Sequence, residues 1–194
     1  MINIIQEQRN FSNRVVDRYG QDQSGTVTYR FNAQGFRSEA DFNYPPDLVF
    51  FGGSTPFGVG VPIEQTFPHV VAKEKNLKIW NCSYACVKYN NQDFFDTISL
   101  VHQEVKNIPI VVQWVSDKYD PLCTVPVYTF IEQTKKLYPD SVHMLIDSLV
   151  EKDKILSGYF DLVSPPFIDK SASTTQAGPK THQLLSKFLI KKLV

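Results

Sequence analysis

Ser54, four histidines and three cysteines are the side chains of this 194-residue sequence suited to nucleophilic or proton-transfer chemistry. Ser54 sits in "DLVFFGGSTPFGVGV" (47–61), where an apolar run gives way to two glycines, the serine and a second glycine-rich stretch. A serine hydroxyl becomes a nucleophile only when a nearby base takes its proton. His69 and His102 fall inside helical stretches and are expected to be surface or helix-edge residues turned away from Ser54. His143 opens a strand and is expected at the opposite pole of the sheet, in a structural role. His182 begins the last helix on the Ser54 side and is the candidate base, provided a shifted loop brings it within hydrogen-bond reach. Asp117, Asp120 and Asp147 lie near the carboxyl ends of strands, as pocket-lining groups or as solvated loop carboxylates. The Cys82/Cys86 spacing has no further cysteine or histidine beside it, so neither a metal nor another cofactor is expected. The glycines also fit a plain strand-to-helix turn, and the stretch lacks the lysine of a phosphate-binding loop.

Alternating elements position these residues. "DLVFFGG" (47–53), "LKIWNCS" (77–83), "IPIVVQWVS" (108–116) and "SVHMLIDS" (141–148) are short, apolar and bounded by Pro, Gly or Asn, as strands covered on both faces are. A fifth strand is expected within "YFDLVSPPFID" (159–169). Between them, residues 91–106 place Phe94, Phe95, Ile98, Val101 and Val105 on one helical face. Shorter helical patterns cover 65–75 and 127–137. "PKTHQLLSKFLIKKLV" closes the chain as a helix with Pro179 in its first turn. Strands alternating with helices predict an α/β fold, a three-layer sandwich around a parallel sheet. Ser54 then stands at the carboxyl end of the first strong strand, where such sheets bind ligands. Residues 1–45 are more polar, with "TVTYRFNAQGFRS" as a hairpin or extended arm. They are expected to form a lead-in packed on one domain spanning 46–194, or a partner-binding arm.

Twenty basic and twenty acidic residues cancel, and no long block of like charge occurs. That excludes the electrostatic footprint of a nucleic-acid or anionic-membrane binder and leaves a small molecule, a glycan or a protein as partner. No run of about 18 apolar residues and no signal-peptide pattern occurs, so a soluble protein without membrane insertion is expected. An odd number of cysteines in a chain that needs no staples fits a reducing compartment.

"FNAQGFRSE", "GGSTPFGVGV", "QTFPHVVAKE" and "WNCSYACVKYNNQ", in this order, resemble the SGNH, or GDSL, hydrolase superfamily of esterases and acylhydrolases. The resemblance covers roughly residues 30–194 and is strongest at the first block, a G-D-S-x-T-x-G-x-G-V-like pattern. It implies a flavodoxin-like α/β/α sandwich with strand order 2-1-3-4-5. It also implies that the first-block serine, here Ser54, attacks an ester carbonyl while a fifth-block histidine, oriented by an aspartate, takes the proton. The oxyanion-hole positions it implies are Ser54, Cys86 and Ser116, the last two standing where the family has glycine and asparagine. Gly53 stands where the first block has aspartate. "SASTTQAGPKTH" resembles a D-x-x-H-P-G-x-x-T-H form of the fifth block, which puts Ser173 at the aspartate and Gln176 at the histidine. Two functions follow as expectations. One is a module with an eroded dyad that binds an ester, an acylated glycan or a protein partner. The other is an active serine ester hydrolase or acyltransferase using Ser54 with His182 as a relocated base.

Overall fold

The structure is a computed structural model that describes residues 19–21, 25–85, 90–115, 124–145, 158–163, 167–171 and 176–193. A two-stranded antiparallel ribbon, β1 (Tyr19–Gln21) and β2 (Thr28–Arg30), precedes a five-stranded parallel sheet. That sheet comprises β3 (Leu48–Gly52), β4 (Ile79–Ser83), β5 (Ile110–Trp114), β6 (Val142–Leu145) and β7 (Leu162–Val163). Its spatial order is β4-β3-β5-β6-β7, which, counting these five strands alone, is the expected 2-1-3-4-5. All four pairings are parallel. Parallel neighbours need long crossovers, and the helices supply them. In chain order these are α1 (Ser54–Phe57), α2 (Phe67–Lys75), α3 (Asn91–Glu104), α4 (Val127–Leu137) and α5 (Pro179–Lys192).

The period-2 alternation of the central strands sorts residues onto two cores. Leu48, Phe50, Val111 and Met144 face α2 and α5, packing on Phe67, Val71, Leu185 and Leu189. Val49, Phe51, Val112 and Leu145 face α3 and α4, packing on Phe94, Ile98, Phe130 and Ile131. The strands are buried on both faces, as their unbroken apolar runs require. Helix α3 starts at a capping box, with the Asn90 side chain accepting from the Asp93 N–H and the Asp93 carboxylate accepting from the Asn90 N–H.

The polar lead-in contributes more apolar contact than its composition suggests. Val27, Tyr29 and Phe31 form a third cluster with Phe57 and Val59, just after Ser54, and with Ala85 beyond β4. Phe36 and Phe42 stack on one another at 5.8 Å, and Phe42 stacks on Trp80 at 5.0 Å, joining the arm to the edge strand β4.

His143 ties the far half of the sheet together. Trp114 Nε1–H donates to its Nδ1 (2.9 Å), which leaves the Nε2–H to donate to Ser141 Oγ (2.8 Å). Its backbone exchanges two 2.9 Å bonds with Asp161, through the His143 N–H to Asp161 Oδ2 and the Asp161 N–H to the His143 carbonyl. Lys192, at the end of α5, pairs with Asp161 at 3.3 Å. The ring is fully buried, and burial, aided by Lys135 and opposed by Asp161, pulls its pKa from 6.5 down to about 4.

Two predictions follow from this packing. Gly58 has φ 79°, and a Cβ there would overlap Thr66 Cγ2 and lie 3.1 Å from Arg37 Nη1. Gly58→Ala should therefore lose about 3 kcal/mol in urea unfolding, from overpacking plus left-handed strain. Gly158, with nothing within 4 Å of such a Cβ, should tolerate alanine within about 0.5 kcal/mol. For His143, the unfolded chain binds the proton first as pH falls, so stability is complete above about pH 6.5 and drains away toward pH 4. The urea midpoint should fall over that window, and His143→Gln, which keeps one acceptor and one donor, should remove up to about 3 kcal/mol of the drop.

Candidate functional site

The turn that carries Ser54 is set by its glycines and by two polar side chains from elsewhere in the chain, Gln113 and Asn81. Gly52 ends β3 at φ 145°, and a Cβ on it would come within 2.8 Å of the Gln113 carbonyl oxygen and 2.9 Å of Pro56 Cγ. Only glycine fits there. The Gly53 N–H donates to Gln113 Oε1 (3.1 Å), and Gln113 Nε2 donates to the Trp114 carbonyl (2.6 Å), so a glutamine on β5 holds the strand end. Helix α1 is a single turn, closed where the Gly58 and Val59 N–H groups donate to the Ser54 carbonyl at 2.9 and 3.1 Å. Asn81 Nδ2, on β4, donates to the Pro56 carbonyl (2.9 Å).

Arg37 holds the loop that follows. Its Nη1 donates to the carbonyls of Phe57 (2.9 Å) and Gly58 (2.6 Å), and its Nη2 to that of Val61 (2.8 Å). The guanidinium lies against the rings of Tyr29 and Phe57, at 4.6 and 5.4 Å from their centroids. The Tyr29 hydroxyl in turn accepts from the Gly60 N–H (2.8 Å). Arg37 is 1% exposed, and burial, partly offset by the charges of Tyr29 and Glu64, lowers its pKa to about 10. It stays cationic at neutral pH.

Opposite this turn stands the segment before α5. Ser54 Oγ–H donates to Gln176 Oε1 at 2.8 Å, 122 residues away in sequence. The Gln176 backbone is held by the Ser171 N–H, which donates to its carbonyl (2.9 Å), and by the bridge between Lys170 and Ala177. Asp169 then anchors the start of α5. Its Oδ2 accepts from the Lys180 N–H (2.8 Å), and its Oδ1 accepts from the Thr181 N–H and hydroxyl (both 2.7 Å). Burial alone would raise the Asp169 pKa, but the bonds from Thr181 and Lys180 outweigh it and hold the carboxyl low. Gly178 belongs to the same knot, since a Cβ there would fall 2.5 Å from the Lys170 carbonyl oxygen.

The expected base is placed elsewhere. His182 is fully buried, with its ring stacked on Phe67 at 5.9 Å and its Nδ1 accepting from the Phe67 N–H (3.1 Å). Its Nε2 has no hydrogen-bond partner among the described residues. Burial, with Arg37 adding to it and Asp169 opposing, brings its pKa down to about 4. His69 is half-buried rather than on the surface, with Nδ1 at 2.9 Å from Thr66 Oγ1, and burial and Arg37 bring it also to about 4. His102 lies edge-on to Tyr138 at 4.8 Å, on the α3–α4 side. Cys86, Ser116 and Ser173 lie outside the described residues, as do Asp117, Asp120 and Asp147. At Gly53, a Cβ would make ordinary contacts with Phe94 (3.5 Å) and Gln113 (3.7 Å), so packing at that atom does not account for the missing aspartate.

Arg37, Gln113 and Asp169 are the residues that sequence reasoning missed. Arg37 stood in the quoted "FNAQGFRSE", and Gln113 was the one polar residue inside "IVVQW". A polar residue in a buried strand is a readable signal, because it must find a partner. An arginine in a polar arm carries no such mark.

No family model and no curated protein matches the sequence. Solved structures do match its fold. A member of the lipolytic protein G-D-S-L family from Veillonella parvula DSM 2008 superposes with a TM-score of 0.53 at 13% identity, over 74% of this chain and 96% of that one. A G-D-S-L family protein from Desulfitobacterium hafniense DCB-2 gives 0.54 at 13% identity, over 75% and 98%. Among the described residues no helix is long and apolar enough to cross a membrane. The chain has the SGNH-type α/β/α fold of the G-D-S-L proteins.

Proposed function

We propose that this chain is a binding module built on the SGNH hydrolase fold, taking a small acyl ligand over Ser54 without turning it over. The observation that carries the reading is the Ser54 Oγ–H bond to Gln176 Oε1. A serine attacking a carbonyl must lose its proton as the new C–O bond forms, and the acceptor must hold that proton until the leaving group takes it. An imidazole does both near neutral pH. An amide oxygen accepts the hydrogen bond but not the proton, so the pair is oriented as a serine–histidine pair would be and cannot complete the step. In a serine protease, loss of such a base lowers turnover by about 10⁶-fold.

Support comes also from the fate of the other imidazole. His182 Nδ1 is occupied by the Phe67 N–H, and no hydrogen bond joins His182 to Ser54. Gly53 removes a further carboxylate from the turn, on the resemblance drawn above. The glycines around Ser54 are kept where the turn needs them, at Gly52 and Gly58.

A fluorophosphonate probe read by mass spectrometry, with a short-chain ester assay, tests the reading. The wild-type protein should neither label at Ser54 nor release acid above the buffer rate. The variant Ser173→Asp with Gln176→His, which supplies a base and an orienting carboxylate, should label at Ser54, and Ser54→Ala should remove that label. Wild-type turnover abolished by Ser54→Ala and reduced by His182→Ala would overturn the proposal in favour of an active hydrolase with a relocated base.

A further inference from the structure

We propose that His182 is an acid-sensitive latch between α5 and α2, whose protonation lets the first turn of α5 lift and carry Gln176 away from Ser54. The inference goes beyond the binding reading, since it concerns how the site opens rather than what it takes. It starts from the hydrogen bond that the His182 ring makes. The Phe67 N–H donates to Nδ1 at 3.1 Å, so the neutral ring carries its proton on Nε2. A protonated ring has an N–H at both positions. Nδ1 then opposes the Phe67 N–H, donor against donor, and the bond is lost. Nε2 offers no compensation, because it is buried without a hydrogen-bond partner among the described residues.

The surroundings do little to balance the new charge. His182 is fully buried, and its ring lies on Phe67, which is itself edge-on to Phe50 of β3 at 5.8 Å. Arg37 stands at the same corner, since a Cβ on Gly58 would meet both its Nη1 and the side chain of Thr66, the residue before Phe67. Asp169 favours the charge but has both oxygens engaged by Lys180 and Thr181, and Glu64 lies on the exposed turn Ile63–Gln65. Lys180 stands in the first turn of α5 itself and adds a like charge. His69, on α2, responds differently. The Thr66 hydroxyl donates to the Ile63 carbonyl (2.7 Å), so it accepts from His69 Nδ1–H, and that bond survives protonation. Burial, with Arg37 adding and Asp169 opposing, accordingly brings the His182 pKa down to about 4.

The released turn does not move alone. Asp169 holds the Lys180 and Thr181 N–H groups, its carbonyl accepts from the Gly178 N–H (3.1 Å), and the Gln176 carbonyl accepts from the Ser171 N–H (2.9 Å). These bonds make one unit of residues 169–171 and 176–182. Two of the bonds that tie this unit outward are Phe67 N–H to His182 Nδ1 and Ser54 Oγ–H to Gln176 Oε1. Losing the first weakens the hold that keeps Gln176 against the serine. An imidazole released to water titrates near 6.5 and the latched one near 4, so opening gains progressively as pH falls below 6.5.

The test is amide hydrogen exchange of the full chain, followed by NMR at pH 7 and pH 5 and corrected for intrinsic rates. The opening constant at the Phe67 N–H should rise about twentyfold from the first pH to the second. It should exceed that of Val112, inside β5, at both. His182→Gln keeps an acceptor for Phe67 but takes no proton, so the rise should vanish, whereas His69→Gln should keep it. Ser54→Ala removes the other tie and should raise Phe67 opening about fivefold at both pH values. An opening constant unchanged by pH, one equal to that of Val112, a rise that persists in a folded His182→Gln variant, or no response to Ser54→Ala would each overturn the inference. The wild-type and Ser54→Ala measurements decide it even if His182→Gln does not fold. Covalent labelling of Ser54 in the wild type would sink the binding reading and leave the latch standing.

Discussion

A guanidinium buried against two aromatic rings, with its hydrogen bonds made to backbone carbonyls, constrains the loop after Ser54. A helix of one turn leaves most of its carbonyls without partners, and the loop after it would ordinarily turn them to water. Here Phe57, Gly58 and Val61 turn theirs inward onto Arg37, and the loop follows. Lysine could not substitute, because a point charge on a flexible stem cannot fork across three acceptors. The arm that brings Arg37 is thereby part of the site. Tyr29 both covers the guanidinium and caps the Gly60 N–H, while Phe31 packs on Phe57. The left-handed Gly58 is needed for the same reason, since its carbonyl must face Arg37 while its N–H closes onto Ser54.

The same cation bears on why an amide suits position 176. A general base becomes positively charged in mid-reaction, and a nearby buried cation makes that state harder to reach. His182 and His69 show the direction of the effect, both held near pKa 4 by burial with Arg37 contributing. An amide never takes on that charge. The neutral amide avoids the conflict and keeps the hydrogen bond that orients Ser54.

The sheet was legible in the sequence because its strands are covered on both faces, so apolar runs bounded by glycine, proline and asparagine have few other readings. The helices Asn91–Glu104, Val127–Leu137 and Pro179–Lys192 were legible from their apolar spacing, whereas the pairing of Gln176 with Ser54 came only from the resemblance of "SASTTQAGPKTH" to a family block. The arm was not, because its aromatic residues are interspersed with polar ones and their burial depends on tertiary contacts with Trp80, Tyr84 and Phe57. The surroundings of His182 were hidden for a related reason. Helix periodicity put it at the start of α5 but could not show that α2 lies against that turn, where the Phe67 N–H claims its ring. Polar residues whose role is to satisfy another element's backbone leave almost no local trace.

Relocating the base onto His182 would have to undo that arrangement. Nδ1 is the acceptor of a backbone N–H that α2 offers at its first residue, and freeing it leaves that N–H buried and unsatisfied, at a cost of about 1–3 kcal/mol. The turn that carries the ring is fixed at the other end by Asp169, whose carboxylate holds Lys180 and Thr181 and whose carbonyl accepts from the Gly178 N–H (3.1 Å). Further along, Lys192 ties the helix to Asp161 and so to the His143 strand. Swinging the imidazole to Ser54 therefore means moving α5 against the Asp169–Gly178 knot at one end and the Lys192–Asp161 pair at the other. Gln176 needs no such movement: the anchors that hold α5 away from the serine also set the amide against it.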